Sequence, residues 1–180
     1  MLNLAATMDA HVSSAWTNAT MMAWEHKTDP NHFRMLLVRA QIAAQRSDHA
    51  ETIRLASRAA ETVPADLMYF VHYVIGVSHC ALAEVSSLDF MRKRARGGFE
   101  ISEFRRSFRT CPDGVAALRS LQKATELKPD FSPAWAELAD FHIRAGQWPE
   151  GLLAAESLVR LVPRCAAAYE TRALCFKELD

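Results

Sequence analysis

The chain has 180 residues, half of them apolar and 23% charged, and its 21 basic side chains are balanced by 21 acidic ones. That is enough chain for one domain with a sizeable core, and its charges are too few and too balanced for a disordered polyelectrolyte. The opening MLNLAATMDA has no basic n-region, and no run of about 18 apolar residues stands out as a bilayer span, so a soluble, cytoplasmic protein is expected.

In chain order, apolar positions spaced by three and four predict helices over 11–26, 31–45, 48–62, 66–90 or beyond, 100–109, 113–127, 133–145, 148–161 and 165–178. No segment reads as a strand, so the fold class expected is all-α. Only six glycines and seven prolines serve the whole chain, which implies short turns between many helices. Asp48 with Glu51 resembles a capping box at the start of the third predicted helix. Ser132 is placed to cap the helix at 133–145, Pro133 to occupy its first turn and Gly146 to end it in a left-handed conformation.

The prolines also reveal a repeat. Pro30 and Pro64 are 34 residues apart, and so are Pro129 and Pro163. Ahead of three of these prolines stands the same triple, at twelve, eight and five residues before. The triples are Thr52, Ala56, Ala59; then Ala117, Leu121, Ala124; then Gly151, Ala155, Leu158. Spacings of four and three put each triple on one helical face, and mostly small side chains let a neighbouring helix approach. Trp135, Leu138, Ala139 and His142 line the helix before the last triple, and Leu36, Ala40 and Ala43 hold comparable places earlier.

The stretch AWAELADFHIRAGQWPEGLLAAESLVRLVP, residues 134–163, resembles a tetratricopeptide repeat, a helix-turn-helix unit of 34 residues. Residues 33–64 resemble it less fully, with Arg39 where an apolar residue is usual, and 113–127 matches a second half. The resemblance implies a right-handed α-solenoid of antiparallel helix pairs, about three and a half units in all. On that expectation 1–180 is a single domain. It comprises an N-terminal helix within 1–30, a repeat at 31–64, a repeat at 65–129 with an insertion near 88–111, a repeat at 130–163, and a terminal or incomplete unit at 164–180. That last unit leaves Ala173 and Phe176 without a partner helix, so a capping role, self-association through the C-terminal helix, or continuation into further repeats is expected.

The family resemblance also implies a function, protein binding in a concave groove lined by the first helix of each pair, as an adaptor or scaffold. The groove positions fall near Arg34, Leu37, Gln41, Ala136, Asp140, Ile143, Arg144, Glu170 and Leu174. The lysine and asparagine clamp with which related repeats grip the acidic end of heat-shock chaperones is not supplied by Leu37 with Gln41, Ala136 with Asp140, or Glu170 with Leu174.

Neutrality hides a local excess. Residues 91–109 hold seven basic side chains against two acidic ones, while the segments on either side are each slightly acidic. The seven are Arg92, Lys93, Arg94, Arg96, Arg105, Arg106 and Arg109. They fit an anion site for nucleic acid, an acidic protein segment or a membrane surface, or a nuclear localisation signal; a solvated loop is the plain alternative. A helix running from 66 to Arg96 would reach about 46 Å, with Gly97 and Gly98 stopping it. Beyond them Ile101, Phe104 and Phe108 form one apolar stripe, expected to lay the insertion back on the stack.

No chemistry is evident. Cysteines 80, 111, 165 and 175 lack CxxC spacing and read as small core residues without disulfides. His72 and His79, two turns apart on one helix, are too distant to share a zinc ion. No phosphate loop, nucleophile elbow, HExxH or paired-carboxylate motif occurs, so neither enzymatic activity nor a metal or other cofactor is expected.

Overall fold

A computed structural model describes residues 29, 31–94 and 100–179, and among these every regular element is helical. The helix expected at 11–26 lies outside the described residues. The helices are α1 (Phe33–Gln45), α2 (His49–Ala60), α3 (Met68–Arg94), α4 (Ile101–Thr110), α5 (Pro112–Leu127), α6 (Ser132–Ala145), α7 (Trp148–Leu161) and α8 (Ala166–Leu179), with a single 3-10 turn, Ala65–Leu67, ahead of α3. Each long helix packs on the next, α1 on α2, α2 on α3, α3 on α5, α5 on α6, α6 on α7 and α7 on α8, while α4 leans on α3, α5 and α6.

The repeat written in the prolines recurs in the backbone. Where α5 ends, Lys128 N–H donates to the Ala124 carbonyl, Phe131 to Lys128 and Ala134 to Phe131; 34 residues on, Val162 donates to Leu158, Cys165 to Val162 and Ala168 to Cys165. The side chains repeat as well. Trp135 Nε1 donates to the Pro129 carbonyl at 2.8 Å, and the Tyr169 hydroxyl to that of Pro163 at 3.1 Å. Ahead of α1, His32 N–H donating to Asp29 makes a third copy of the middle bond.

All three proline-linked triples are buried. Thr52, Ala56, Ala59, Ala117, Leu121, Ala124 and Ala155 are fully enclosed, and Leu158 is 4% exposed. Thr52 satisfies its hydroxyl by donating within reach of the Asp48 and Ala40 carbonyls. One core joins α1, α2, the first half of α3 and the α5–α6 turn; a second joins the rest of α3 to α4, α5, α6 and α7; a third seats α8 through Ala168 and Cys165 against Ala136 and Leu158.

Several helix ends follow from named residues and three expectations need correction. Gly146 has φ 69°, the left-handed conformation that glycine adopts without a Cβ clash. Asp48 caps α2 by accepting from Glu51 N–H, but the Glu51 carboxylate turns to Arg54 at 2.6 Å instead of closing a box. That ion pair holds the Glu51 carboxyl below its ordinary range. Ser132 does not cap α6: it is the first helical residue, and Phe131 stands at the cap with no side-chain bond. Ile101 is 52% exposed, so the apolar stripe of α4 is buried only through Phe104 and Phe108, at 9% and 0%.

α3 runs for 27 residues, about 40 Å at 1.5 Å per residue. Gly97 and Gly98, expected to stop it, lie outside the described residues. With its flanks, Ala65–Lys93, it is the one helix among the described residues long and apolar enough to cross a membrane, where the sequence reading expected none. In this fold it packs against α2, α4 and α5.

Candidate functional site

The charged cluster between α3 and α6 is built on Arg144. This arginine sits in the last turn of α6, one helical turn after Asp140, so the two side chains share a face. One guanidinium nitrogen, Nη2, pairs with Asp140 Oδ2, and the other, Nη1, reaches across to Glu84 Oε2 on α3 at 3.1 Å. Its Cζ also lies 6.0 Å from the Phe108 ring centroid. A single guanidinium thus ties α6 to α3 and to α4.

Glu137 stands one turn before Asp140, and its carboxyl is strongly perturbed. Burial pushes its carboxyl up to about 7, the Asp140 carboxylate adds to that, and the Arg144 cation opposes it. Facing it on α3 are Tyr73 and Cys80. Burial raises both, with Glu137 contributing, and the Cys80 thiol is pushed up to about 12. A thiol held so far above neutrality is no nucleophile. Burial also lowers His142 on α6, against a hydrogen bond to Gln147, and lowers His72 on α3.

The groove positions read from the sequence divide into two kinds. Leu37 and Ala136 are 3% and 7% exposed and belong to the core clusters, so they pack the stack and offer nothing to a ligand. Arg34, Gln41, Asp140, Ile143 and Arg144 are half-buried, and Glu170 and Leu174 are exposed on α8. Of these the structure brings together Asp140 and Arg144. Arg34 lies over the Phe33 ring at 5.4 Å, and Ile143 rests where a Gly151 side chain would begin. Sequence reasoning missed Glu84, Glu137 and Tyr73, while Cys80 is the core residue it was read as. The like-charged i, i+3 spacing of Glu137 and Asp140 was a usable signal for the first pair member on α6; the α3 residues had none.

The basic insertion is divided in a similar way. Arg105 stacks over the Trp148 ring at 4.9 Å, and Arg109 Nη1 donates to the Ala145 carbonyl at 3.0 Å, so both pin α4 to the α6–α7 junction. Arg92, beside Asp89 at 3.3 Å, is exposed, as are Lys93 and Arg106. The Arg94 side chain and Arg96 lie outside the described residues. Among the described residues no three His, Cys, Asp or Glu side chains converge to hold a metal ion, and the four cysteines are not joined in disulfides. His79 Nδ1 lies 2.8 Å from Asp113 Oδ1 and fastens the start of α5 to α3.

No family model matches the chain, and no curated protein matches its sequence.

Proposed function

We propose that this chain is a right-handed solenoid of tetratricopeptide-like helix pairs, an adaptor that captures a peptide or helix of a partner protein along the face formed by α1, α3, α6 and α8. The observation that carries this reading is the recurrence of the same turn at 34-residue spacing: three backbone bonds and one aromatic-to-carbonyl bond after α5 reappear after α7. Stacked units of that kind leave their first helices side by side, and a row of helix faces is a ready groove for an extended or helical segment.

The chemistry of that face suits a ligand of mixed charge. Arg34, Gln41, Asp140 and Arg144 are half-buried there, and Glu84 and Glu137 lie near Asp140 and Arg144. Part-desolvated charges of both signs reject a mismatched partner more strongly than they reward a matched one, which makes the cluster a selectivity element. The other reading, an anion site on the insertion, is weakened because Arg105 and Arg109 are already engaged within the fold.

Selection of a displayed random-peptide library on the immobilised chain tests the proposal. Selected peptides should lose about tenfold in affinity on Arg144→Met and about threefold on Gln41→Ala, and keep it on Arg92→Ser with Lys93→Ser. Peptide binding indifferent to both groove changes would refute the reading. So would capture of nucleic acid lost with Arg92 and Lys93, whose affinity falls with a log–log salt slope of about −0.9 per phosphate contacted.

A further inference from the structure

We propose that α8 docks antiparallel against the α8 of a second copy of this chain, through the stripe Tyr169, Ala173 and Phe176. The placement follows from the 34-residue correspondence of α6 and α8. In α6 the stripe Trp135, Ala139, His142 turns toward α7: Ala139 is 0% and His142 6% exposed, and a Cβ on Gly151 would lie 3.6 Å from that of His142. Tyr169, Ala173 and Phe176 are the same positions in α8, and Tyr169 is held by the Pro163 carbonyl as Trp135 is by Pro129. The inner side of α8 is used, with Ala168 and Cys175 fully buried. The outer stripe is open: Tyr169 is 41% and Phe176 46% exposed, with Leu174 beside them at 40%. α8 therefore presents, in register, the surface on which α6 holds a helix.

Charge selects the occupant. Glu170 and Lys177 flank the stripe on one row, two helical turns apart, and neither is in an ion pair among the described residues. A second α8 lying antiparallel, centred between Ala173 and Leu174, sets Glu170 of each copy opposite Lys177 of the other, giving two ion pairs related by the two-fold axis. The same register seats Phe176 of one copy between Ala173 and Tyr169 of the other, where alanine leaves room for a ring and lets the axes approach to about 8–9 Å. A parallel pair would oppose Glu170 to Glu170 and Lys177 to Lys177. Dimerisation takes up Glu170 and Leu174 and so closes the α8 end of the binding face; Gln41 and Arg144 are clear of it, so the two proposals fail separately.

Sedimentation equilibrium of the full chain over about 2 to 200 µM tests this, because a single helix pair is at the small end of interface sizes and points to a dissociation constant on the order of 10 µM. The mass should rise from monomer toward dimer across that range. Phe176→Asp, at a position nearly half exposed in the monomer, should keep the far-UV circular dichroism and hold the mass at monomer. Glu170→Lys and Lys177→Glu should each weaken the dimer about tenfold, and the two together should restore it to within about threefold. A monomer throughout the range overturns the proposal and leaves the stripe to further chain or another protein. A dimer insensitive to Phe176→Asp, or a double variant as weak as the singles, overturns it as well.

Discussion

Replacing Gly114 by alanine tests whether α4 is fused to the helices it packs on or merely rests on them. Gly114 lies in the first turn of α5 and its φ is not positive, so what it supplies is space. A Cβ there would fall inside the contact radius of the Phe108 carbonyl oxygen, 3.0 Å from the Phe108 carbonyl carbon and 3.4 Å from that of Arg109. These are backbone atoms, which cannot rotate aside. Alanine gains at most about 1 kcal/mol of helix propensity over glycine. Against that, the last turn of α4 must retreat, and with it Phe108, which is fully buried with ring centroids 5.9 Å from Phe104 and 5.1 Å from Phe141. Overpacking of this kind costs about 1–3 kcal/mol. The Cys111 cap, whose Sγ accepts from Gly114 N–H at 3.3 Å and donates to the Phe108 carbonyl at 3.4 Å, goes with it, for about 1 kcal/mol more.

The net loss is about 1–3 kcal/mol, equivalent to about 2–12 °C in Tm for a domain of this size. Urea unfolding followed by circular dichroism measures it. Gly151→Ala is the control, since its Cβ would meet only side-chain atoms, Cys175 Sγ at 3.3 Å and His142 Cβ and Ile143 Cγ1 at 3.6 Å, and it should change stability by less than about 1 kcal/mol. A Gly114→Ala chain as stable as its parent would refute the account of α4 as a fixed part of the core.

Two further outcomes follow from the α3–α6 and α3–α5 contacts. The Glu137 carboxyl titrates at about 7 in the folded chain against 4.5 for the free side chain, so the folded state holds a proton that the unfolded state has released between those values. Its contribution is therefore lost as pH rises from about 4.5 to 7, and Glu137→Gln should match the parent at pH 4 yet exceed it by about 2–3 kcal/mol at pH 8; a difference that does not vary with pH in urea unfolding would contradict this. A Cβ at Gly76 would lie 2.8 and 2.9 Å from Leu121 Cγ and Cδ2 and 3.2 Å from its backbone nitrogen. Leu121 is fully enclosed, so Gly76→Ala should lose about 1 kcal/mol despite its better helix propensity, and a stabilised variant in the same assay would show that α5 can shift.

Features that one residue type decides locally were legible in the sequence. Gly146 ends α6 because a left-handed backbone excludes most alternatives, and the buried triples announce themselves as small residues at three- and four-residue spacing before a proline. The Asp140–Arg144 pair is legible too, as an i, i+4 pair on one face. Glu84 is not, because it is 60 residues from Arg144 in sequence and meets it only through the register of α3 against α6. Leu37 and Ala136 were assigned to the groove because neighbouring helical positions differ by about 100°, so a small error in the helix rotation exchanges a lining residue for a core one. Cys111 escaped notice as a cap since a thiol is a weak hydrogen-bonding group.

The length of α3 accounts for α4 better than charge does. α5 begins against α3 near His79, where the 2.8 Å contact with Asp113 fixes the pair, so more than ten residues of α3, about 15 Å or more, run on past the start of its partner. That overhang is mostly apolar on its inner side, with Ala83 fully buried and Met91 4% exposed, although it also buries the Ser87 hydroxyl without a hydrogen-bond partner among the described residues. α4 is what covers it, since Met91, Phe104 and Phe108 share one core with Leu121 and Phe141. Burying two phenylalanines stabilises this arrangement by about 3–6 kcal/mol in transfer terms, far more than exposed cations at the helix end can gain from solvent-screened contacts. Arg105 over Trp148 and Arg109 on the Ala145 carbonyl then fasten the far side of α4 to the α6–α7 junction. The described basic residues of this region thus fall into two groups with different physical roles: Arg105 and Arg109, which hold α4 over an overhanging helix, and Arg92, Lys93 and Arg106, which stay exposed.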